Sequence, residues 1–441
     1  MSLQEASLSV DINGSPPVPS MSELGIDSVL ASDSSIAVLQ ESILQWYLEE
    51  GYPFAGAGYY FVSEDSLEVN TVPGRHALLE EVRIAGMPGT DSSVFTRLMS
   101  IKPGDTYDRD AVNSWVDRIG QLKFVKEVGP TELFIGEGGN LVLLQHIEKG
   151  KSGHFAASMN WHGGNPEGGG EILFLNLAGT ARELEISGQT TEWGGLNAHL
   201  RYREPWLFGT PLSTQLEASQ STPESLWINR EGSLSFIWSM NQAEISGGIG
   251  IWRGYPPDGE RQKYDYGLAG INWRSGYRIP QGWNGMTLNL QARSGYRTGN
   301  DSSGVLTMAE LKVDGNVYKG VIGFGGRFLT GGVMQGEWFE GLLNQLGGQE
   351  TLRGYPENAF RAVRYIAARP EISVGETETR VYLFCDIAAI RTPYEGVRYP
   401  VGCGAGIRGI SGIFHADAAS GFPLKEGFGS ARFYLRLVAS I

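Results

Sequence analysis

The feature that most constrains this chain is a strict alternation of apolar and polar residues, which recurs in segment after segment from about residue 153 to residue 441. Alternation with a period of two predicts β-strands that each have one apolar face. The first and last of these segments, at about 154–161 and 431–441, have apolar positions that include Phe155 and Ala157 in the first and Phe433, Leu435 and Leu437 in the last.

The polar face of these segments repeatedly carries Arg, Glu, Gln and His, and no helical pattern lies between them to cover the apolar face. A soluble barrel or sandwich also alternates, but so many strands cannot all hide an apolar face in one soluble core. Strands that face lipid outward and a wet lumen inward satisfy the pattern. The 62 glycines and the 19% content of charged residues agree with a β-rich chain rather than a helical one.

The length of this region sets the number of strands. Eleven segments can be placed before about residue 330, a long Gly-rich loop fills about 331–360, and five more segments follow. We therefore predict a mainly β fold with a 16-stranded antiparallel transmembrane β-barrel over 153–441, since single-chain bacterial barrels have even strand numbers. Fourteen strands with longer loops would also fit the length.

The residues before the barrel differ from it in composition and in predicted secondary structure. Residues 1–34 are rich in Ser, Pro, Asp and Gly and are predicted to be a disordered tail or linker. Residues 35–74 predict a helix that starts near Ser34 and two short strands, which is part of a small α+β unit. Residues 75–150 predict the order β-α-α-β-β with a three-stranded sheet, and Asp108 or a neighbour caps the second helix.

Composition and spacing exclude several functions. The net charge of −14 argues against a nucleic-acid partner. The six His residues show no metal-ligand spacing and no catalytic acid/base pair or nucleophile is supported, so no metal, cofactor or enzymatic activity is expected. The two cysteines, Cys385 and Cys403, lie on adjacent predicted strands with outward parity. A disulfide fits this placement, but two small apolar residues that face lipid are the preferred interpretation.

The most informative stretch is GGQETLRGYPENAF, which begins at residue 347 in the long loop. Its Arg353 is followed by Gly354, so a guanidinium lies where the backbone can bend sharply. A charge in such a setting needs carboxylate partners. Strand parity turns Glu371 and Asp386 inward on the next two strands, which makes them the predicted partners.

These residues resemble the BamA/TamA superfamily of outer-membrane assembly and translocation barrels. The family has Gly-Gly and then [VLI]-R-G-[FY] in the loop after the eleventh strand, followed by an inward Glu and an F-x-D motif. The resemblance implies that the loop folds back into the lumen and that Arg353, flanked by Gly354 and Tyr355, contacts Glu371 and Asp386. Ala388 stands where the family's F-x-D-x-G motif has its Gly.

The resemblance extends to other segments of the chain. The segment REPWLFGTPLS, with Pro205 and Trp206, resembles the family's periplasmic turn between the fourth and fifth strands. Residues 75–150 resemble a POTRA domain, and 35–74 resemble part of another. The chain ends in Ile441 rather than in the terminal Phe that assembly signals favour. It is also much shorter than the central members of the family, so it is predicted to be a short member.

The resemblance implies a function in outer-membrane protein insertion or polypeptide translocation, with unfolded polypeptide clients and the lipid bilayer as partners and periplasmic chaperones or accessory proteins as further candidates. The first and last strands would form a seam that opens sideways. The expected location is the outer membrane of a Gram-negative bacterium, with the N-terminal region in the periplasm. The start of the sequence shows no signal-peptide pattern, which indicates either a cytoplasmic chain or a removed signal. A two-partner secretion exporter and a passive porin or structural barrel are the alternatives.

Overall fold

The computed structural model describes residues 7–441 except 163–164, 191–194, 208–209, 225–226, 241, 258, 280–281, 300–301 and 377. The chain divides into two compact units, Met1–Gly150 and Lys151–Ile441. Among the described residues, no helix is both long enough and apolar enough to cross a bilayer.

The first half of the N-terminal unit is a four-stranded sheet with one helix. Its strands are β1 (Ser7–Gly14), β2 (Val29–Leu30), β3 (Gly56–Ser63) and β4 (Ser66–Val72), in the order β2-β1-β4-β3. Helix α1 (Asp33–Glu49) begins after Ser32, whose side chain accepts a hydrogen bond from the Ser35 N–H. Such a cap satisfies one of the free N–H groups of the first turn. One apolar cluster joins the sheet to the helix, and it includes Leu8, Leu67, Val69, Leu39, Ile43 and Tyr47.

This sheet differs from the disordered tail that the sequence predicts for residues 1–34. Strand β1 pairs in parallel with β4, and Val10 lies opposite Leu67. Leu8, Val10 and Ile12 do alternate with polar residues, but the polar composition of the surrounding segment conceals this short strand, and its partner β4 follows more than 50 residues later in the chain. The predicted partial unit at 35–74 is therefore completed by β1 and β2, which come from the residues before it.

The second half of the N-terminal unit has the predicted β-α-α-β-β order. It consists of β5 (Leu79–Ala85), α2 (Ser93–Thr96), α3 (Arg109–Gly120), β6 (Val125–Ile135) and β7 (Leu141–Lys149), and its sheet has the order β5-β7-β6. The Asp108 side chain caps α3 by accepting from the Ala111 N–H at 2.9 Å. Helix α2 is a single turn, shorter than the sequence pattern over 92–101 predicts.

In the described residues of the second unit, sixteen strands close into an antiparallel barrel, which confirms the predicted fold class. The first eleven are β8 (Gly153–His162), β9 (Asn165–Leu177), β10 (Arg182–Thr190), β11 (Leu196–Glu204), β12 (Leu212–Glu224), β13 (Trp227–Ser239), β14 (Ala243–Tyr255), β15 (Gln262–Ile279), β16 (Gly282–Gly299), β17 (Ser302–Lys319) and β18 (Ile322–Gln335).

A long loop then contains β19 (Asn344–Leu346), α4 (Gly348–Thr351) and β20 (Phe360–Ala362), and the other strands follow it: β21 (Arg364–Gly375), β22 (Thr379–Thr392), β23 (Gly396–Arg398), β24 (Val401–Ser411), β25 (Phe414–Pro423) and β26 (Arg432–Ser440). Strands β23 and β24 lie along the same neighbour, β22, and form one strand with a break. Strand β26 pairs with β8 and closes the barrel. The near end of the barrel is the end at which β8 begins and β26 ends, and the far end is opposite.

Large apolar side chains are exposed on the outside of the barrel. Ile249, Leu383 and Phe433, on three different strands, expose 67%, 58% and 60% of their surface. Polar residues such as Arg353, Arg369 and Asp386 are instead buried within. This inverted distribution suits a wall that faces lipid on the outside.

The cysteines correct one prediction from the sequence. Cys385 in β22 and Cys403 in β24 are direct register partners and form a disulfide, with a Cα–Cα distance of 4.1 Å. They are therefore not a pair of separate apolar side chains. The antiparallel register, which strand parity alone does not give, places the two Cβ atoms opposite each other on the outward face.

Candidate functional site: the internal loop and the barrel seam

The connection between β18 and β21 folds into the barrel and is called here the internal loop (residues 336–363). Its first part, with Phe339, Leu342 and Leu343, is buried against inward side chains of the wall. The cluster they form also contains Trp252, Tyr264, Tyr266, Leu306, Met308, Val333 and Val363. Burial of these apolar side chains holds this part of the loop inside the wall.

Arg353, in the second part of the internal loop, binds the carboxylate of Asp386 through two guanidinium nitrogens. Its Nε and Nη2 atoms donate to Asp386 Oδ2 at 2.9 Å and Oδ1 at 2.7 Å, and its backbone N–H donates to Oδ2 at 2.9 Å. Arg353 is 5% exposed and Asp386 is fully buried. Two-pronged pairing of this kind fixes orientation as well as charge. The guanidinium also lies 3.7 Å from the ring centroid of Phe384.

Glu371 is shared between two arginines. It accepts from Arg353 Nη1 at 3.2 Å and from both Nη atoms of Arg408, of which Nη2 lies at 2.9 Å. Arg408 also binds Asp417, with Nε 2.8 Å from Oδ2. The structure thus brings the predicted partners Glu371 and Asp386 to Arg353, and it adds Arg408. The sequence indicates Arg408 only through its inward parity in β24.

Arg369 is a second cation on the carboxylate of Asp386. Its Nε lies 3.2 Å from Asp386 Oδ2, and its Nη2 donates to the Gln349 carbonyl at 2.8 Å. Sequence parity places Arg369 on the inward face together with Glu371, but it indicates no partner for it. The network of charged pairs therefore fastens both Arg353 and the backbone of α4 to the wall.

Gly354 and Tyr355 extend these contacts to the last strands of the barrel. The Gly354 N–H donates to Tyr434 Oη in β26 at 2.8 Å. Gly354 has a φ of +93°, and a Cβ at this position would lie 2.8 Å from the carbonyl carbon of Phe422, so only glycine fits. The Tyr355 hydroxyl lies 3.3 Å from the carbonyl oxygen of Val401 and accepts from the N–H of the same residue at 3.2 Å.

The predicted seam residues lie on paired strands. Ala157 in β8 faces Leu437 in β26, while Phe155 faces Ala439. The other two predicted residues also have register partners in β8, since Phe433 faces Trp161 and Leu435 faces Met159. The sequence predicts the two strands, and the structure supplies their register.

The internal loop contacts both strands of the seam. Gly354 reaches β26 through Tyr434, and Glu350 lies 3.2 Å from Arg436 in the same strand. On the other side, Asn160 in β8 donates to Glu357 Oε1 at 3.0 Å. Neither Asn160 nor Glu357 was a candidate from the sequence, because an Asn on a lumen face and a Glu in a loop are common.

Pro205 and Trp206 lie in the connection between β11 and β12, which are the fourth and fifth barrel strands, as predicted. Trp206 has a φ of +50°, a sparsely populated conformation for a residue with a side chain. A role for this turn stays a prediction.

Comparison with known structures agrees with the predicted fold. The chain is similar to BamA from Haemophilus ducreyi lacking POTRA domains 1–3, with a TM-score of 0.62 and 14% identity over 99% of this chain and 100% of the other. It is also similar to CdiB from Acinetobacter baumannii (TM-score 0.61, 15% identity, 100% of this chain and 91% of the other) and CdiB from Escherichia coli (TM-score 0.63, 13% identity, 100% and 91%). No protein-family model matches the chain, and no curated protein matches it in sequence.

The fold is therefore that of the BamA and CdiB barrels, over essentially the whole chain. At this level of identity the likeness defines the architecture and leaves the activity to be argued from the site.

Proposed function

We propose that this protein inserts or translocates polypeptides at the outer membrane, with its N-terminal unit in the periplasm, and that it does so without enzymatic chemistry. Its clients would be unfolded polypeptides that pass or pair at the seam between β8 and β26. The N-terminal sheets could receive a client by strand addition, in which backbone hydrogen bonds give affinity that tolerates many sequences.

One observation carries the proposal: the internal loop is bonded to both strands of the seam. Tyr434 in β26 accepts from Gly354, and Asn160 in β8 donates to Glu357. Movement of the loop and opening of the seam are thereby coupled. The seam strands are also among the shorter strands of the barrel, since β26 has 9 residues, as β10 and β11 do, whereas β16 has 18. Fewer backbone hydrogen bonds must break, and a client strand can replace them.

A passive porin is the less favoured alternative. Porins keep a water-filled channel. Here Phe339, Leu342 and Leu343 are each 4% exposed, because they pack against the inward face of the wall. A steady, wide conductance without a client would support the porin interpretation.

A two-partner secretion exporter shares the proposed chemistry and differs in the client. An exporter moves a dedicated secreted polypeptide, whereas an insertase accepts many unfolded barrel proteins. The two are separated by supplying the reconstituted protein with several urea-denatured barrel clients, since insertion of several unrelated clients favours the insertase.

The seam can be tested with a crosslink. Ala157 and Leu437 are register partners, so Ala157→Cys and Leu437→Cys together should form a disulfide that locks the seam. We expect the oxidised variant in phospholipid vesicles to lose at least tenfold in the rate of client insertion, and reduction should restore it.

The matched control joins Ala292→Cys with Ala309→Cys, which are register partners in β16 and β17. This variant carries the same kind of crosslink away from the seam and should keep its activity when oxidised. Full activity of the oxidised seam variant would refute the proposed seam mechanism.

A further inference from the structure

Three adjacent strands place cations side by side on the outside of the barrel at its far end. Arg230 in β13 is the register partner of Arg253 in β14, and Arg253 is in turn the partner of Lys263 in β15. All three have the outward parity of their strands. Like charges directly opposite each other destabilise an antiparallel pair. An anion at this position would offset that repulsion, and the row of cations stands out in a chain with a net charge of −14.

A fourth cation and an aromatic ring complete this basic cluster, which consists of Arg230, Arg253, Arg261 and Lys263. The guanidinium carbons of Arg230 and Arg261 lie 5.6 Å and 5.4 Å from the centroid of the Tyr255 ring. Arg253 Nη1 contacts Asp265 Oδ1 at 2.5 Å, and the Asp265 side chain is 61% exposed. Among the described residues, Asp265 is the one carboxylate within ion-pair distance of these four cations, so the cluster keeps a net positive charge.

The cluster lies at the edge of the apolar surface of the barrel. Below Arg253, the outward positions of β14 carry Ile251, Ile249 and Ile245, which are 52%, 67% and 48% exposed. Arg253 is eight residues from Ile245, which corresponds to about 27 Å along a strand and roughly 20 Å in height at the usual barrel tilt. The apolar band of such barrels is about 25 Å tall. Arg253 therefore lies near the level where acyl chains give way to headgroups.

We propose that the basic cluster binds the phosphate of a lipid headgroup in the leaflet at the far end of the barrel. The inference rests on the membrane location in the proposed function. Arginine forks match phosphate oxygens in geometry and charge, and Lys263 adds a further charge. The acyl chains of the same lipid lie on the isoleucines of β14. A soluble anion would gain the charge contacts but not this apolar contact, which is why a lipid is the favoured ligand.

The test uses the full chain folded in dodecyl maltoside micelles and adds dioleoylphosphatidic acid, with binding measured by native mass spectrometry. The variant Arg230→Gln, Arg253→Gln, Lys263→Gln should bind this lipid on the order of 100-fold more weakly, as expected for three basic groups near an anionic surface. Asp265→Asn removes the competing carboxylate and should bind it more tightly than the wild type.

Two controls isolate the phosphate and the site. Dioleoylglycerol has the same acyl chains without phosphate and should bind far more weakly than phosphatidic acid. The variant Arg83→Gln, Lys126→Gln, Lys149→Gln removes three charges from the N-terminal unit and should bind like the wild type. Inorganic phosphate should not compete at millimolar concentration.

Equal binding of phosphatidic acid by the wild type and the cluster variant would overturn the proposal. Strong competition by inorganic phosphate would replace the lipid with a free anion and would overturn it as well. Client insertion is not read in this assay. A protein that binds the lipid at the cluster but inserts no client would contradict the proposed function alone.

Discussion

At the scale of single residues, the charge on Asp386 must be balanced where water does not reach it. Arg353→Ala removes two side-chain hydrogen bonds from a carboxylate that is 0% exposed and leaves Arg369 as its cation. We expect a loss of roughly 3–5 kcal/mol, as for other broken buried pairs. The measurement is the urea concentration at which the folded, heat-modifiable band on a semi-native gel disappears.

Two further substitutions serve as an intermediate case and a control for the stability loss expected of Arg353→Ala. Arg353→Lys keeps the charge but not the two-pronged geometry, so its loss should be intermediate. Arg398→Ala breaks an exposed pair with Glu395 and should change stability by less than about 1 kcal/mol. If Arg353→Ala is as stable as Arg398→Ala, the network does not brace the loop.

A second residue-scale prediction concerns the close approach of the internal loop to β24. A Cβ on Gly402 would lie 1.9 Å from the carbonyl oxygen of Arg353, so Gly402→Ala must displace the loop backbone. We expect a loss of about 1–3 kcal/mol and faster proteolysis within residues 347–356. Gly409→Ala is the control in the same strand, because its Cβ would have its nearest neighbour at 3.8 Å. Equal behaviour of the two variants would show that the loop is not tightly held there.

Part of this network could be predicted from the sequence and part could not. Strand parity was sufficient to turn Glu371 and Asp386 inward, and the R-G-Y motif singled out Arg353. Strand parity does not give the register between strands. Because of that register, Arg408 reaches Glu371 and Asp417. Inward arginines are common in a polar lumen, so nothing in the sequence distinguishes a braced one from a solvated one.

At the scale of elements, the first part of the internal loop is predicted to close the lumen. Phe339 stacks on Trp252 with a ring separation of 6.1 Å and is 4% exposed. The double variant Phe339→Ala, Leu342→Ala removes much of this apolar contact. We expect its ion conductance in planar bilayers to rise several-fold over the wild type.

The control for this element is Trp338→Ala, since Trp338 is next to Phe339 but 38% exposed. Its conductance should match the wild type. A double variant that keeps the low conductance of the wild type, while it remains heat-modifiable, would show that another part of the barrel closes the lumen.

Elements were predictable where their pattern is local. The alternation of the barrel strands and the cap of α3 at Asp108 are visible within a few residues of sequence. Strand β1 also alternates, at Leu8, Val10 and Ile12, but this pattern is short, it lies in a segment of mainly polar composition, and its sheet partner β4 is distant in the chain. The Cys385–Cys403 pair depends on register between two strands and was therefore misread.

At the scale of the whole molecule, the barrel was predictable although identity to the similar structures is only 13–15%. The wall requires an alternation and a length, which many sequences satisfy, rather than particular residues. The same tolerance explains why the activity does not follow from the fold. The proposed activity therefore rests on the charged network of the internal loop and on the seam.

The two compact units, Met1–Gly150 and Lys151–Ile441, have separate cores and should unfold separately. Trp115 in the N-terminal unit is fully buried, and its Nε1–H donates to the Phe95 carbonyl at 2.8 Å. Trp115→Ala should therefore cost about 3–5 kcal/mol in that unit and leave the heat-modifiable migration of the barrel unchanged. Arg353→Ala should destabilise the barrel and leave the N-terminal unit unchanged. Limited proteolysis measures the stability of the N-terminal unit in both variants. If either substitution lowers both transitions equally, the units share one cooperative core.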